Sequence, residues 1–283
     1  MTAAASALPP PAGTTRLVCL GDSFTEGMCD DVRPDGHYTG WADRVAAGLA
    51  RVHAPADVEY ANLAVRGKLI NQVTAEQIDA GLAMGPTILT FHAGANDVLR
   101  RGTDLPDLFL RYRAAVERIA SSHAQIVLFT AIGRAGGSGR LAQLIADRFA
   151  LFNDTVRAVA EDAGATLVDL GHVTALTDRR FWNADRLHLN AAGHARAAAA
   201  VLAALGVVDE EVIGGPQGWW MQPLPPAPPM AMHRRVAEDA AWVQGHLIPW
   251  IGRRLRGVSS GDGRAPKNPV PVRLGGSACE TTD

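Results

Sequence analysis

The sequence predicts an α/β protein in which a five-stranded parallel sheet lies between two layers of helices. Short apolar runs, typical of strands that are covered on both faces, alternate with longer segments whose apolar residues recur every three or four positions. This alternation of strand and helix occurs five times. Because parallel strands need crossover helices on both faces of the sheet, we expect a three-layer α/β/α sandwich over residues 16–207.

Composition and charge narrow the class of protein. The chain has 283 residues, 47% of them hydrophobic and 20% charged, which suits one large globular core. A net charge of −2 argues against nucleic acid as a partner. The three cysteines form no disulfide framework and favour a reducing compartment, so we expect a cytoplasmic protein. The sequence contains no integral membrane segment and no pattern typical of a signal peptide.

The first predicted strand leads directly to a candidate nucleophile. Residues 17–20 are apolar without alternation, and Gly21-Asp22-Ser23 follows at once. Open α/β sheets bind ligands at the carboxyl ends of their strands. Ser23 therefore lies where a reacting group is expected.

Four further strands and five helical segments complete the predicted domain. The strands are predicted at residues 58–63, 87–92, 125–131 and 165–170. The helices are predicted by the apolar periodicity of residues 41–52, 70–82, 105–119, 141–162 and 191–205. Asp104 and Asn190 are the expected caps of the third and fifth helices. The glycine-rich loop at residues 133–139 lacks the lysine of a phosphate-binding loop, so we interpret it as a flexible loop near the substrate.

Three segments lie outside this domain. Residues 1–15 are rich in Ala and Pro and are expected to form a disordered leader. Residues 208–256 are predicted to form a proline-rich linker and a helical extension that is broken near Pro249. The extension ends in three arginines and either packs back on the core or contacts a membrane surface or a protein. Residues 257–283 are expected to be a disordered tail.

A serine hydroxyl needs a base, and the base needs an orienting group. Histidine is the usual base because it accepts and releases a proton near neutral pH. Among the nine histidines, His188 stands out because Asp185 precedes it by three residues, a spacing that lets a carboxylate reach the imidazole in a tight turn. His92, His172 and His194 remain alternatives.

Two residues are candidate donors to an oxyanion. Gly67 and Asn96 each follow a predicted strand, and the ends of parallel strands meet at one rim of the sheet. The backbone N–H groups of Ser23 and Gly67 and the side-chain amide of Asn96 therefore converge on one developing negative charge in the expected arrangement. Arg66 and Lys68 flank Gly67 and either contact an anionic substrate or lie in solvent.

Four sequence blocks resemble one known family. They are Gly21-Asp-Ser, Asn62-Leu-Ala-Val-Arg-Gly67, Gly94-Ala-Asn-Asp97 and Asp185-Arg-Leu-His188, in that order along the chain. Together they are similar to the motifs of the SGNH hydrolases, also called GDSL esterases and lipases, which have a flavodoxin-like fold. The α/β-hydrolases are the alternative family of serine enzymes, but their Gly-x-Ser-x-Gly motif needs a glycine at the position of Thr25.

The resemblance implies a serine esterase that hydrolyses small or medium acyl esters through an acyl-enzyme. It implies Ser23, His188 and Asp185 as the catalytic triad, an oxyanion hole of Ser23, Gly67 and Asn96, and neither a cofactor nor a metal. The expected partner is a small acyl ester, with weak contact to a membrane surface or a protein through the basic helix. Transfer of the acyl group to another acceptor is the main alternative, and a non-catalytic binding or scaffold protein is the other.

Overall fold

The computed structural model describes residues 13–54, 56–133, 139–256 and 258–274 and contains a six-stranded sheet of order β5-β4-β3-β1-β2-β6. The strands are β1 Thr15–Gly21, β2 Val58–Asn62, β3 Ile88–His92, β4 Gln125–Phe129, β5 Thr166–Val168 and β6 Asn268–Leu274. β1 to β5 are parallel, and β6 pairs antiparallel with β2. The expected α/β fold is therefore present.

Helices cover both faces of this sheet. They are α1 Ser23–Glu26, α2 Gly40–His53, α3 Ile70–Glu76, α4 Ile78–Ala83, α5 Ala95–Val98, α6 Leu105–Ala120, α7 Arg140–Asp162, α8 Ala191–Ala204, α9 Glu210–Ile213, α10 Met232–Trp242 and α11 Ile248–Leu255. α2 and α8 pack on one face, and α3, α4, α6 and α7 pack on the other. The glycine-rich loop predicted at residues 133–139 lies largely outside the described residues.

The buried strands explain why the apolar runs lack alternation. Along β1, Leu17 and Cys19 face the helices on one side of the sheet, while Val18 and Leu20 face those on the other. All four side chains are fully buried. A strand between two helical layers must be apolar on both faces, which produces a continuous rather than an alternating run.

The number of strands and the tail differ from the sequence prediction, which expected five strands and disorder over residues 257–283. The sixth strand, β6, is built from part of that segment, and residues 275–283 lie outside the described residues, as do residues 1–12 of the expected leader. The two prolines in β6 have no N–H to donate, and the sequence analysis therefore predicted disorder for this segment. An edge strand needs donors and acceptors on one side only, so prolines are tolerated there.

The extension after the core begins by packing on it and then leaves it. Ile213 and Trp220 are buried, and buried Arg196 of α8 donates to the carbonyl groups of Trp219, Trp220 and Gln222. Further along, every residue of α10 is at least partly exposed. None of the helices in the described part of the chain is long and apolar enough to cross a membrane.

A buried lysine, directly before β6, attaches this strand to the core. The side chain of Lys267 is only 1% exposed and forms an ion pair with Asp43 of α2. Its Nζ also donates to the carbonyl groups of Glu26, Tyr38 and Thr39 at 2.8–3.0 Å. Because all of its donors are used, this lysine ties β6 to both α1 and α2.

We expect Lys267→Met to lower the free energy of unfolding by about 2–4 kcal/mol, because three carbonyl groups lose their donor and Asp43 keeps only Arg33 among the described residues, at 3.1 Å, as an ionic partner. Urea denaturation at neutral pH measures this loss. Lys68→Met is the matched control, since Lys68 pairs at 2.7 Å with the half-exposed Glu76. That pair is worth about 1 kcal/mol or less. Equal losses in the two variants would contradict the role assigned to Lys267.

Candidate active site

Ser23 lies where β1 ends and α1 begins. Asp22 caps this short helix, and its Oδ1 accepts a hydrogen bond from the N–H of Phe24 at 3.1 Å. Gly21 permits the tight turn, because a Cβ there would lie 2.6 Å from the carbonyl oxygen of His92 and the hydroxyl of Thr25. The serine is thus held at the carboxyl edge of the sheet by its own turn.

His188 joins Ser23 to Asp185. Its Nε2 lies 3.1 Å from Ser23 Oγ, and its Nδ1 lies 2.6 Å from Asp185 Oδ2. These two contacts fix the imidazole so that Nδ1 carries a proton toward the carboxylate and Nε2 faces the hydroxyl. The structure therefore brings all three predicted triad residues together in one hydrogen-bonded chain.

The three-residue spacing works because Asp185 folds a tight turn around itself. Its Oδ1 accepts hydrogen bonds from the backbone N–H groups of Leu187 at 2.9 Å and His188 at 3.1 Å. Arg186, between Asp185 and Leu187, has a φ of 58°, in the left-handed region that few non-glycine residues adopt. This turn leaves Oδ2 directed at the imidazole.

The carboxyl of Asp185 remains ionised. Burial acts to raise its pKa, but the hydrogen bond and charge of His188, together with the two backbone N–H groups, outweigh it and lower the pKa to about 2.

The nearby thiol of Cys29 behaves in the opposite way. Burial and then the charge of Asp185 raise its pKa to about 11, so the thiol keeps its proton and contacts Asp185 Oδ2 at 3.7 Å.

The other candidate histidines do not contact Ser23. His194 is buried, its Nε2 donates to the carbonyl of Met28 at 3.2 Å, and burial lowers its pKa to about 4. His92 packs against Phe24 and lies 3.5 Å from Asp22. His172 is 73% exposed and pairs with Asp169. Of the four histidines, His188 is thus the one in position to act as the base.

Asn96 enters the same site from α5. Its Nδ2 donates to Asp22 Oδ2 at 3.2 Å and to the carbonyl of Lys68 at 3.1 Å. Asp22 therefore orders the serine turn with one oxygen and the Asn96 amide with the other. Asp97, beside it, accepts the N–H of Ile70 at 3.0 Å and so ties α5 to α3.

Gly67 lies on the loop after β2, directly before the Lys68 carbonyl that Asn96 contacts. Its φ is 77°, and a Cβ at this position would clash with the hydroxyl of Ser259 from the carboxyl-terminal segment. Glycine is therefore required both by the backbone conformation and by this close approach. Of the predicted donors, Ser23 and Asn96 line the cavity described below, whereas Gly67 is not one of its lining residues.

A buried ion pair that the sequence analysis missed holds the Gly67 loop. The Glu26 carboxylate accepts hydrogen bonds from the Arg66 backbone N–H at 2.7 Å and from its Nε at 2.8 Å. Both side chains are 10% exposed, and the guanidinium lies over the ring of Tyr38. Arg66 is therefore engaged inside the protein, while Lys68 pairs with Glu76. The sequence gives only a weak sign of this ion pair, namely an acidic residue, Glu26, just after Ser23 and a basic residue, Arg66, directly before Gly67.

A small cavity of about 100 Å³ opens beside Ser23 and His188. Its wall is mainly apolar, and the apolar side chains come from the loops after β1, β3, β4 and β5 and from α7. They are Phe24, Met28, Leu99, Ile132, Phe149, Leu170, Trp182, Leu187 and Leu189. An apolar wall next to a hydroxyl and an imidazole suits an uncharged group with a hydrocarbon part.

The described residues contain one group of three potential metal ligands, namely Cys29, Asp185 and His188, whose ligand atoms lie within 4.8 Å of one another. Two of these residues are already joined by the 2.6 Å hydrogen bond of the triad. This hydrogen bond suits Asp185 and His188 to proton transfer. We therefore assign no metal to the three residues.

Solved structures with this fold include several hydrolases. The chain is similar to Axe2, an acetylxylan esterase from Geobacillus stearothermophilus, with 21% identity, a TM-score of 0.58 and coverage of 69% of this chain and 96% of that one. It is similar to LAE5, an α/β hydrolase from the metagenome of Lake Arreo, with 23% identity, a TM-score of 0.59 and the same coverages. At these identities the likeness shows the fold. No curated protein matches the chain.

The family relationship comes from the sequence itself. The model of the GDSL-like lipase/acylhydrolase family matches residues 19–196, which is more than half of the 283 residues. The match includes Ser23, Gly67, Asn96, Asp185 and His188. The chain therefore belongs to the GDSL-like lipase/acylhydrolase family and is a carboxylic ester hydrolase.

Proposed function

We propose that this protein is a serine esterase that hydrolyses small or medium acyl esters through an acyl-enzyme intermediate. The observation that carries the proposal is the continuous hydrogen-bonded chain from Ser23 through His188 to Asp185, which ends in an apolar cavity. Family membership supports the same class of reaction.

In the acylation step, Nε2 of His188 accepts the hydroxyl proton as Ser23 Oγ attacks the ester carbonyl carbon. The C=O electron pair moves to the oxygen and forms a tetrahedral oxyanion. Asp185 stabilises the imidazolium, because its low pKa keeps it ionised beside Nδ1. When the intermediate collapses, the imidazolium gives its proton to the departing alkoxide, and the acyl group remains on Ser23.

In the second step, water takes the place of the alcohol. Nε2 of His188 removes a proton from this water, whose oxygen attacks the acyl carbon. Collapse of the new tetrahedral intermediate breaks the bond to Ser23 Oγ, which recovers its proton from the imidazolium. The products are a carboxylic acid and the free enzyme.

The oxyanion is stabilised by the backbone N–H groups of Ser23 and Gly67 and by the side-chain amide of Asn96. In the structure Asn96 donates to Asp22 and to the Lys68 carbonyl. Donation to the oxyanion exchanges the contact with Lys68, while Asp22 keeps the amide in place. A single donor of this kind is typically worth about 3–4 kcal/mol of barrier.

The cytoplasm is our proposed location. The described residues include two free thiols, Cys19 and Cys29, and the first is fully buried in β1. Unpaired thiols inside a core suit a reducing environment.

We expect Ser23→Ala to lower kcat/KM for p-nitrophenyl acetate by more than about 10⁴-fold, because the variant has no atom that can accept the acyl group. Thermal unfolding close to that of the wild type shows that the fold survives. Activity retained in this variant would overturn the proposal.

Product analysis with added alcohols separates hydrolysis from acyl transfer, since a transferase yields the new ester in preference to the acid.

Asp185→Asn is expected to reduce kcat by about 10³–10⁴-fold, because a neutral amide cannot stabilise the imidazolium. Since the pKa of Asp185 is about 2, its carboxylate stays charged as the pH falls from neutral toward mildly acidic values. Loss of wild-type activity on that side is therefore not caused by protonation of Asp185. Steady-state rates across pH measure both effects. Asp178→Asn, which removes a partly buried partner of Arg180, is the control that keeps wild-type activity.

The apolar wall predicts a limit on acyl length that depends on Ile132. Replacing it by Trp fills part of the cavity, so kcat/KM for p-nitrophenyl octanoate should fall at least about tenfold more than for the acetate. A chain-length series of p-nitrophenyl esters measures this difference. Leu151→Trp, on the exposed side of α7, should leave the series unchanged. Equal losses for short and long esters would show that the acyl chain lies elsewhere.

A further inference from the structure

The carboxyl-terminal extension presents a long helix beside the active site. α10 continues through a π-helical turn, Val243–Leu247, into α11, so the chain stays helical from residue 232 to 255. Every residue of α10 and of this turn is exposed or only partly covered. A helix that packs so little on its own core leaves most of its side chains accessible.

The helix is fixed to the protein at the catalytic turn. Trp242 Nε1 donates to the backbone carbonyl of Asp185 at 2.9 Å. Arg186 lies over the Trp242 ring at 4.7 Å and pairs with Asp239 at 2.6 Å. The extension is thereby attached to the turn that carries the triad acid.

The side chains not used for this attachment form an apolar stripe. Met232, Val236 and Val243 are 73%, 59% and 36% exposed. At about 100° per residue their positions fall within about 40° of one another around α10, whereas Trp242 lies about 100° from the centre of this stripe. Ile248, at the start of α11, is also exposed. The stripe therefore lies beside the side of α10 that contacts the Asp185 turn, since Asp239, which pairs with Arg186, falls about 40° from the centre of the stripe.

The charges along the same helix are mainly positive. Four arginines lie near its two ends, namely Arg234, Arg235, Arg253 and Arg256. The acidic residues described on the same helix are Glu238 and Asp239, and Asp239 is already paired with Arg186. The chain as a whole carries a net charge of −2. Positive charge is thus concentrated on the helix that also carries the exposed apolar stripe.

We propose that this helix docks the protein on an anionic lipid surface. Apolar side chains on one side of a helix insert between lipid head groups, and arginines on its polar side pair with the phosphates. Arg235 lies about 80° from the centre of the stripe and Arg234 about 180° from it. The narrow stripe favours a bilayer over a protein partner, because a fluid surface accepts a long helix without a complementary groove. Docking depends on the helix alone and goes beyond the proposed ester hydrolysis. It would place the Asp185 turn next to the lipid.

Sedimentation of the full-length protein with lipid vesicles tests the proposal. We expect binding to vesicles of phosphatidylcholine with phosphatidylglycerol, weaker binding to phosphatidylcholine alone, and release by salt. The double variant Val236→Glu and Val243→Glu should bind at least about tenfold more weakly, because it places two carboxylates in the stripe. Arg234→Gln with Arg235→Gln should remove most of the preference for the anionic lipid.

Val270→Glu is the matched control, since Val270 is 61% exposed on β6 and lies outside the helix. It should bind vesicles as the wild type does. Thermal unfolding of each variant shows that the fold is kept. The proposal is overturned if the wild type ignores phosphatidylglycerol, or if the stripe variant binds as tightly as Val270→Glu. It is also overturned if the wild type forms a dimer that the stripe variant abolishes, because a second copy would then be the occupant.

Discussion

The buried ion pair between Glu26 and Arg66 is the constraint on which the arrangement of the site depends. Glu26 ends the helix that begins at Ser23, and Arg66 directly precedes Gly67, so the pair sets the distance between the serine turn and the neighbouring loop. Removing one partner of such a pair typically costs about 3–5 kcal/mol, because the other charge stays buried. The Glu26 carbonyl also accepts from Lys267, which brings the edge strand into the same unit.

Much of the site follows from sequence because strand geometry does most of the positioning. A serine, a glycine and an asparagine that each follow a parallel strand must come to one rim of the sheet. The relation of Asp185 to His188 is equally local, since a carboxylate that accepts two N–H groups of its own turn has one oxygen left for the imidazole. The spacing to Asp185 and the family resemblance singled out His188 among the histidines. The structure adds that His194 is buried and that His172 is 73% exposed and pairs with Asp169.

The parts that sequence could not predict join segments that are far apart in the chain. Glu26 and Arg66 are separated by 40 positions, and Lys267 and Glu26 by 241. Such contacts have no period and no spacing rule. β6 was missed because its prolines suggest disorder, and only the position of the strand at the edge beside β2 makes those prolines acceptable. The second contact of Asp22, to Asn96, is hidden for the same reason.

Residues after position 208, which lie outside the family match to residues 19–196, also contact the site. Ser259 lies against Gly67, and Trp242 holds the backbone carbonyl of Asp185. The loop with Gly67, a proposed oxyanion donor, and the turn with Asp185, the proposed triad acid, are thus both contacted by residues after position 208. A misplacement of about 1 Å at a reacting group can cost about 100-fold in rate, so we expect such contacts to matter for catalysis without touching the substrate. The segment after the core domain therefore supports the proposed active site, although the family motifs lie elsewhere in the chain.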